Sequence, residues 1–314
     1  MKFNPSYLLL STLLIFVFFS YAQKEKEVSI SNSNGKVYGT LTLPKGKKSD
    51  IPVALIIAGS GPTDRNGNNP FMKNNSLKML SDSLVKLGVA TLRYDKQGIG
   101  ASASASKPEI ELTVEDFILD VKLWIEFLRS NKKLGGITLI GHSEGSFFAL
   151  AAAQDKPVKQ VVSLAGAGRR IDEVILEQLG AQDEKLAADA KIIFDSLKVS
   201  LLVNQVNPNL MSLFRESIQP YIISWMKYDP AKLVSTLSCP VFVIQGDQDI
   251  QVQIQDARLL VGQNRHAQLH MIEGMNHIFK KVEGDRDANM MTYIDPNLPI
   301  MTELVDVFRS TVFK

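Results

Sequence analysis

Six short apolar runs recur along the chain, at 52–58, 89–94, 137–141, 158–164, 240–245 and 268–272, each closed off by turn residues. Runs of this length without polar alternation suit strands covered on both faces, which is the condition of a parallel sheet. The segments between them carry helical spacing instead. Leu77, Leu80, Leu84 and Leu87 share one face, and Phe117, Val121, Trp124, Ile125 and Leu128 share another, entered through Thr113 as an N-cap. Leu304, Val307 and Phe308 mark a closing helix. Strand and helix therefore alternate, the pattern of a doubly wound α/β sheet. Ahead of it, 28–30 and 37–43 alternate with period two around Asn32-Ser33-Asn34-Gly35, which predicts an opening hairpin.

One stretch breaks the alternation. From 168 to 237 there is no strand pattern, only helical faces: Leu186, Ala190, Ile193, Phe194 and Leu197 form one. Leu210, Phe214 and Ile218 form another, which Pro220 is expected to interrupt. Ligands of open α/β sheets sit beyond the carboxyl ends of the strands, where such connections emerge. The expected organisation is thus a core made of 23–167 and 238–314, with 168–237 as a helical cap insertion over that edge.

Residues 1–22 read as a leader. Lys2 precedes an apolar run over 8–19, and Ser20-Tyr21-Ala22 offers small residues at the cleavage positions, with Gln23 as the expected mature N-terminus. The run falls short of the roughly 20 apolar residues of a spanning helix. The expectation is export to the periplasm or the medium, with no stable membrane span after cleavage. A formal net charge of +2 provides no basic face for nucleic acid. The single cysteine, Cys239, excludes a disulfide framework or a cysteine metal cluster within one chain.

The chemistry lies in Gly141-His142-Ser143-Glu144-Gly145, which follows an apolar strand run and precedes the helix-forming stretch 146–153. A G-x-S-x-G at a strand-to-helix turn exposes its serine as a nucleophile, and its glycines admit the sharp turn. A serine hydroxyl needs a base, and the base an orienter. Of the four histidines, His142 is expected to turn away from the Ser143 hydroxyl, and His266 and His270 lie at the entry to, and within, a strand. His277 sits in the loop after that strand and is the predicted base. Asp249 is the predicted acid, since Gly246-Asp247-Gln248-Asp249 lets the chain turn before presenting it; Asp247 is expected to bond loop amides. The amides of Glu144 and of Ser60, with Gly61 next in the same loop, are the expected oxyanion donors. Gly59-Ser60-Gly61-Pro62 lacks the Gly-Lys-Ser/Thr of a phosphate loop. Asp64 and Arg65 either line the pocket or pair with each other and the loop backbone.

Five motifs together resemble one family: 58–67 (AGSGPTDRNG), 93–100 (RYDKQGIG), 141–145 (GHSEG), 245–249 (QGDQD) and Asn276-His277. The chain is similar to α/β-hydrolases of the bacterial exported esterase and serine-aminopeptidase-like (S33-type) group. Two positions depart from that group, Ala58 for a frequent histidine and Gln97 for a frequent arginine. The resemblance implies the α/β-hydrolase fold and hydrolysis of a carboxylic ester through an acyl-enzyme, with no metal or other cofactor. The implied partner is a small-molecule ester or a short peptide, and the oligomeric state stays open. Two alternatives stand beside this reading. An aminopeptidase-like serine peptidase would use acids of the insertion, Glu173, Glu177, Asp183 or Glu184, to hold a substrate ammonium. A hydrolase-fold binding protein would have lost activity altogether.

Overall fold

The computed structural model describes residues 24–46 and 49–314; the expected leader, 1–22, lies outside them. The chain opens on the hairpin of β1 (Lys24–Asn32) and β2 (Gly35–Leu43), followed by β3 (Ile51–Ile57), helix α1 (Ser76–Lys86) and β4 (Ala90–Tyr94). Helix α2 (Val114–Ser130) leads to β5 (Leu134–His142), α3 (Glu144–Ala152) and β6 (Gln160–Leu164). Five helices then intervene, α4 (Ile171–Gly180), α5 (Glu184–Lys198), α6 (Met211–Phe214), α7 (Gln219–Trp225) and α8 (Pro230–Ser235). The sheet resumes with β7 (Val241–Gly246), α9 (Ile254–Gly262) and β8 (Ala267–Ile272), and the chain closes with α10 (Arg286–Met291) and α11 (Thr302–Val307).

The strands form one sheet in the order β1-β2-β4-β3-β5-β6-β7-β8. The hairpin is antiparallel, and so is its junction with β4, while every pairing from β4 to β8 is parallel. Parallel pairing sends the chain out of β3, β5, β6, β7 and β8 at the same edge. That is why residues far apart in sequence meet there.

Two apolar layers sandwich the sheet. Trp124, Phe148 and Leu139 belong to one, and Leu80, Ile56, Ile244 and Phe308 to the other. Both begin with the predicted faces: α1 buries Leu77, Leu80 and Leu84, and α2 buries Val121, Trp124, Ile125 and Leu128. At Thr113 a capping box with Asp116 starts α2, as its position before the apolar face leads one to expect.

The stretch 168–237 contains no strand, and it packs a third, separate core around Ile193, Phe194, Leu197, Phe214 and Ile222. Here one expectation is corrected. Pro220 does not interrupt a helix; it stands in the first turn of α7, where its missing N–H has no intrahelical carbonyl to serve. The face Leu210–Phe214–Ile218 is correspondingly broken into α6 and short 3₁₀ turns. No described helix is long and apolar enough to cross a membrane.

Candidate active site

Ser143 stands between β5 and α3 with φ 55° and ψ −122°, a backbone conformation that side-chain-bearing residues rarely adopt. Such a conformation costs on the order of 1–3 kcal/mol and persists only when the surroundings impose it. They do. Its amide donates to the Leu164 carbonyl at 3.0 Å, tying the turn to β6. The flanking glycines are steric necessities: a Cβ on Gly141 would lie 2.2 Å from the Gly145 carbonyl oxygen, and one on Gly145 would lie 2.3 Å from that of Ile57. The motif spacing is thus the geometry of strand, turn and helix pressed together.

Asp249 and His277 meet at this edge. His277 Nδ1 lies 2.8 Å from Asp249 Oδ2, and both residues are buried. The other carboxylate oxygen accepts from the amides of Gln251 at 2.8 Å and Val252 at 3.0 Å, and Oδ2 also accepts from the Gln245 side chain at 3.0 Å. Burial pushes the Asp249 carboxyl up, but His277 and these amides outweigh it, and the net shift is downward. An ionised Asp249 only accepts, so the proton of His277 belongs on Nδ1 and Nε2 keeps its lone pair. Asp247 does what its turn position suggests, accepting from the Gly274 amide at 2.7 Å.

His142 indeed bonds away from Ser143, but to a purpose the sequence does not reveal. Its Nε2 donates to the His277 carbonyl at 2.9 Å, and its ring lies 4.8 Å from both the His277 and Phe279 rings. Burial, and next the neighbouring His277, pull its pKa down to about 3, so it stays a neutral donor.

Ser60 and Glu144 both line the cleft with Ser143. As first residue of α3, Glu144 has an amide without an intrahelical acceptor. The loop before Ser60 lies against Ser143: a Cβ on Gly59 would sit 3.0 Å from Ser143 Cβ. Behind these two residues is a buried cluster that sequence reading missed. The Lys96 ammonium donates to the Gly59 carbonyl and lies 3.6 Å from the Glu144 carboxylate, and the Tyr221 hydroxyl donates to Glu144 at 2.5 Å. Burial lowers the Lys96 pKa, and Glu144 works against that. The Gly59 carbonyl and the Ser60 N–H belong to one rigid peptide plane, so the lysine that holds the first orients the second. Lys96 lies within RYDKQGIG, just past the end of the strand run 89–94; its burial has no local signal.

The scan against family models matches "Serine aminopeptidase, S33" over residues 74–222, a span that contains Ser143 but neither Asp249 nor His277. Esterase EstD of Thermotoga maritima is 24% identical over 250 residues, which is 78% of this chain and 58% of that protein. The chain therefore spans less than two thirds of the curated relative it matches. Among solved structures, Est1E of Butyrivibrio proteoclasticus with bound ferulic acid superposes with a TM-score of 0.61 at 18% identity, covering 91% of this chain and 100% of that one. The Pyrococcus furiosus esterase Pf2001 gives 0.57 at 16% identity over 82% and 84%. The chain has the α/β-hydrolase fold.

In this fold the cleft has two lobes that share Ser60, Ser143 and Gln251. One, of about 170 Å³, is walled by Phe147 and by Ile171, Val174, Ile175, Leu213 and Trp225 of the insertion. Arg169 also reaches it, held by Asp256 through bonds of 3.0 and 2.7 Å. The other, of about 120 Å³, holds His277 with Asn69, Asn74, Ser76 and Tyr293. Glu173, Glu177, Asp183 and Glu184 line neither lobe; all four are exposed, and Glu177 pairs with Arg169. Arg65 does not pair with Asp64 but with Asp95 at 2.8 Å, while Asp64 accepts from the amides of Asn66 and Asn68. Among the described residues no group of three His, Cys, Asp or Glu side chains is arranged to hold a metal ion.

Proposed function

We propose that this α/β-hydrolase is a carboxylesterase-like serine hydrolase with Ser143 as nucleophile, His277 as base and Asp249 as its orienter. The observation that carries the reading is the 2.8 Å bond from Asp249 to His277 beside a Ser143 forced to φ 55° in the same cleft. Nε2 of His277 takes the Ser143 proton as Oγ attacks the ester carbonyl. The amides of Ser60 and Glu144 receive the oxyanion, on a peptide plane and a helix start that Lys96 ties together. The imidazolium then protonates the departing alcohol, and water, activated by the same histidine, releases the acid. Segment 168–237 acts as the cap, supplying the apolar wall of one lobe. The kinship with EstD supports an ester rather than a peptide, as does the absence of the insertion's acids from both lobes. We further propose export through the leader at 1–22.

The test is a fluorophosphonate probe on the purified protein, with the modified residue mapped by mass spectrometry. Labelling at Ser143 that disappears in His277→Ala is expected. A folded protein that takes no label, or takes it elsewhere, refutes the assignment.

A further inference from the structure

The two lobes differ in chemistry, and the reaction decides which part of an ester each receives. When the tetrahedral intermediate collapses, His277 hands its proton to the alcohol oxygen, so the alcohol must leave on the side of His277. His277 lines the smaller lobe and not the larger. The acyl group then extends into the lobe walled by the insertion.

The alcohol lobe is polar but carries no Asp, Glu, Lys or Arg in its lining. Two of its lining residues, Asn74 and Ser76, are exposed by only 2% and 1%. The Asn74 carbonyl oxygen accepts from the Ser76 amide at 3.0 Å, which turns its NH₂ group away from the backbone. Neither that NH₂ nor the Ser76 hydroxyl has a hydrogen-bond partner among the described residues, and neither is sealed from the cavity. In the same lobe, the Tyr293 hydroxyl accepts from the Gln251 side chain at 3.2 Å and keeps its own proton to donate. Buried polar groups are ordinarily bonded, and a row of unpartnered donors in a cavity marks the place of a ligand that accepts. A charged alcohol would find no counter-ion there, and an alkyl alcohol would leave every one of these groups unsatisfied.

We infer that the substrate is an ester of an apolar acid with a neutral polyhydroxylated alcohol, of the sugar or glycerol class, whose free hydroxyls bond Asn74, Ser76 and Tyr293. This rests on the esterase reading above. A pyranoside and glycerol share the chemistry and differ in size.

The experiment compares kcat/KM for butyrate esters of three alcohols, 1-propanol, glycerol and methyl glucoside, on protein whose Ser143 accepts the fluorophosphonate. The acid is common to all three, so the ratio isolates the alcohol lobe. At least about a tenfold preference for one or both polyol esters is expected, since sites built to bond a hydroxyl discriminate against analogues that lack it. Whichever of the two is faster identifies the alcohol by size. The Asn74→Ala protein, checked for fold by circular dichroism, should narrow that ratio several-fold. Equal rates, or a preference for propyl butyrate with Ser143 still labelled, overturn the inference and leave the esterase reading standing. Loss of labelling removes both.

Discussion

The edge of the sheet and the helical insertion face each other across one cleft, yet they are held in opposite ways. At the sheet edge the backbone itself is constrained. Ser143, Ala165 and Phe279 all have positive φ, at 55°, 52° and 70°, and each follows a strand or its loop into a fixed position. In the insertion the one positive-φ residue among those described, Ser200 at 61°, is exposed and away from the cleft lining; the segment rests on helices around a small core of its own, and it meets the cleft through a few side chains such as Ile175, Leu213 and Trp225. Rigidity supplies geometry good to fractions of an ångström, which bond-making requires. Helical side chains supply shape, which can change without moving the reacting atoms.

The sharpest way to break this contrast is at Ser143. Ser143→Ala should lower kcat for a short acyl ester by about 10⁴-fold or more, and Asp249→Asn should approach the same loss by upsetting the His277 tautomer. Steady-state rates with the acyl series held constant would check both. Should Ser143→Ala keep substantial activity, the sheet edge is not where the chemistry occurs.

Lys96→Met comes next in size. Removing the ammonium frees the Gly59–Ser60 peptide and leaves the Glu144 carboxylate with Tyr221 alone. A loss of one misplaced oxyanion donor costs about 10²–10³-fold in kcat with little change in KM. A loss confined to KM, or to thermal stability with kcat intact, would show that the lysine serves only packing.

On the other side of the cleft, Trp225→Ala should act through KM. The enlarged lobe is expected to shift preference towards longer acyl chains by about tenfold, with kcat for the best substrate nearly preserved. A kcat collapse there would erase the distinction between the two regions.

That distinction also explains what could be read from the chain. The parallel strands were legible because burial on both faces demands continuous apolar runs, and the elbow because its glycines answer a local steric need. The meeting of Asp249 with His277 follows from one topological fact, that parallel strands end at the same edge. The Lys96, Glu144 and Tyr221 cluster was not legible: its members lie on a loop, an elbow and an insertion helix, and nothing near Lys96 in sequence announces an acid 48 positions on. Nor was the breakage at Pro220, where the residues fit a helix start and a helix end equally well. Arg65 reaching past Asp64 to Asp95 is of the same kind, a choice made by the fold and not by proximity in sequence.

The smallest effect expected concerns pH. Lys280, three residues beyond His277, is wholly buried; its ammonium donates to the Leu298 carbonyl and lies 3.1 Å from the Met79 sulfur. Burial, opposed only in part by Asp295, pulls its pKa from 10.5 down to about 8. Between those two values the unfolded chain holds a proton that the folded chain has released, so stability rises with pH across that window and levels off above it. Lys280→Met carries no proton in either state. The Tm of the variant relative to the parent should therefore be highest below pH 8, with the difference shrinking towards pH 10.5. A constant Tm difference for Lys280→Met across pH 8 to 10.5 would mean that solvent reaches the ammonium, and that the loop bearing His277 is as loosely held as the helices opposite.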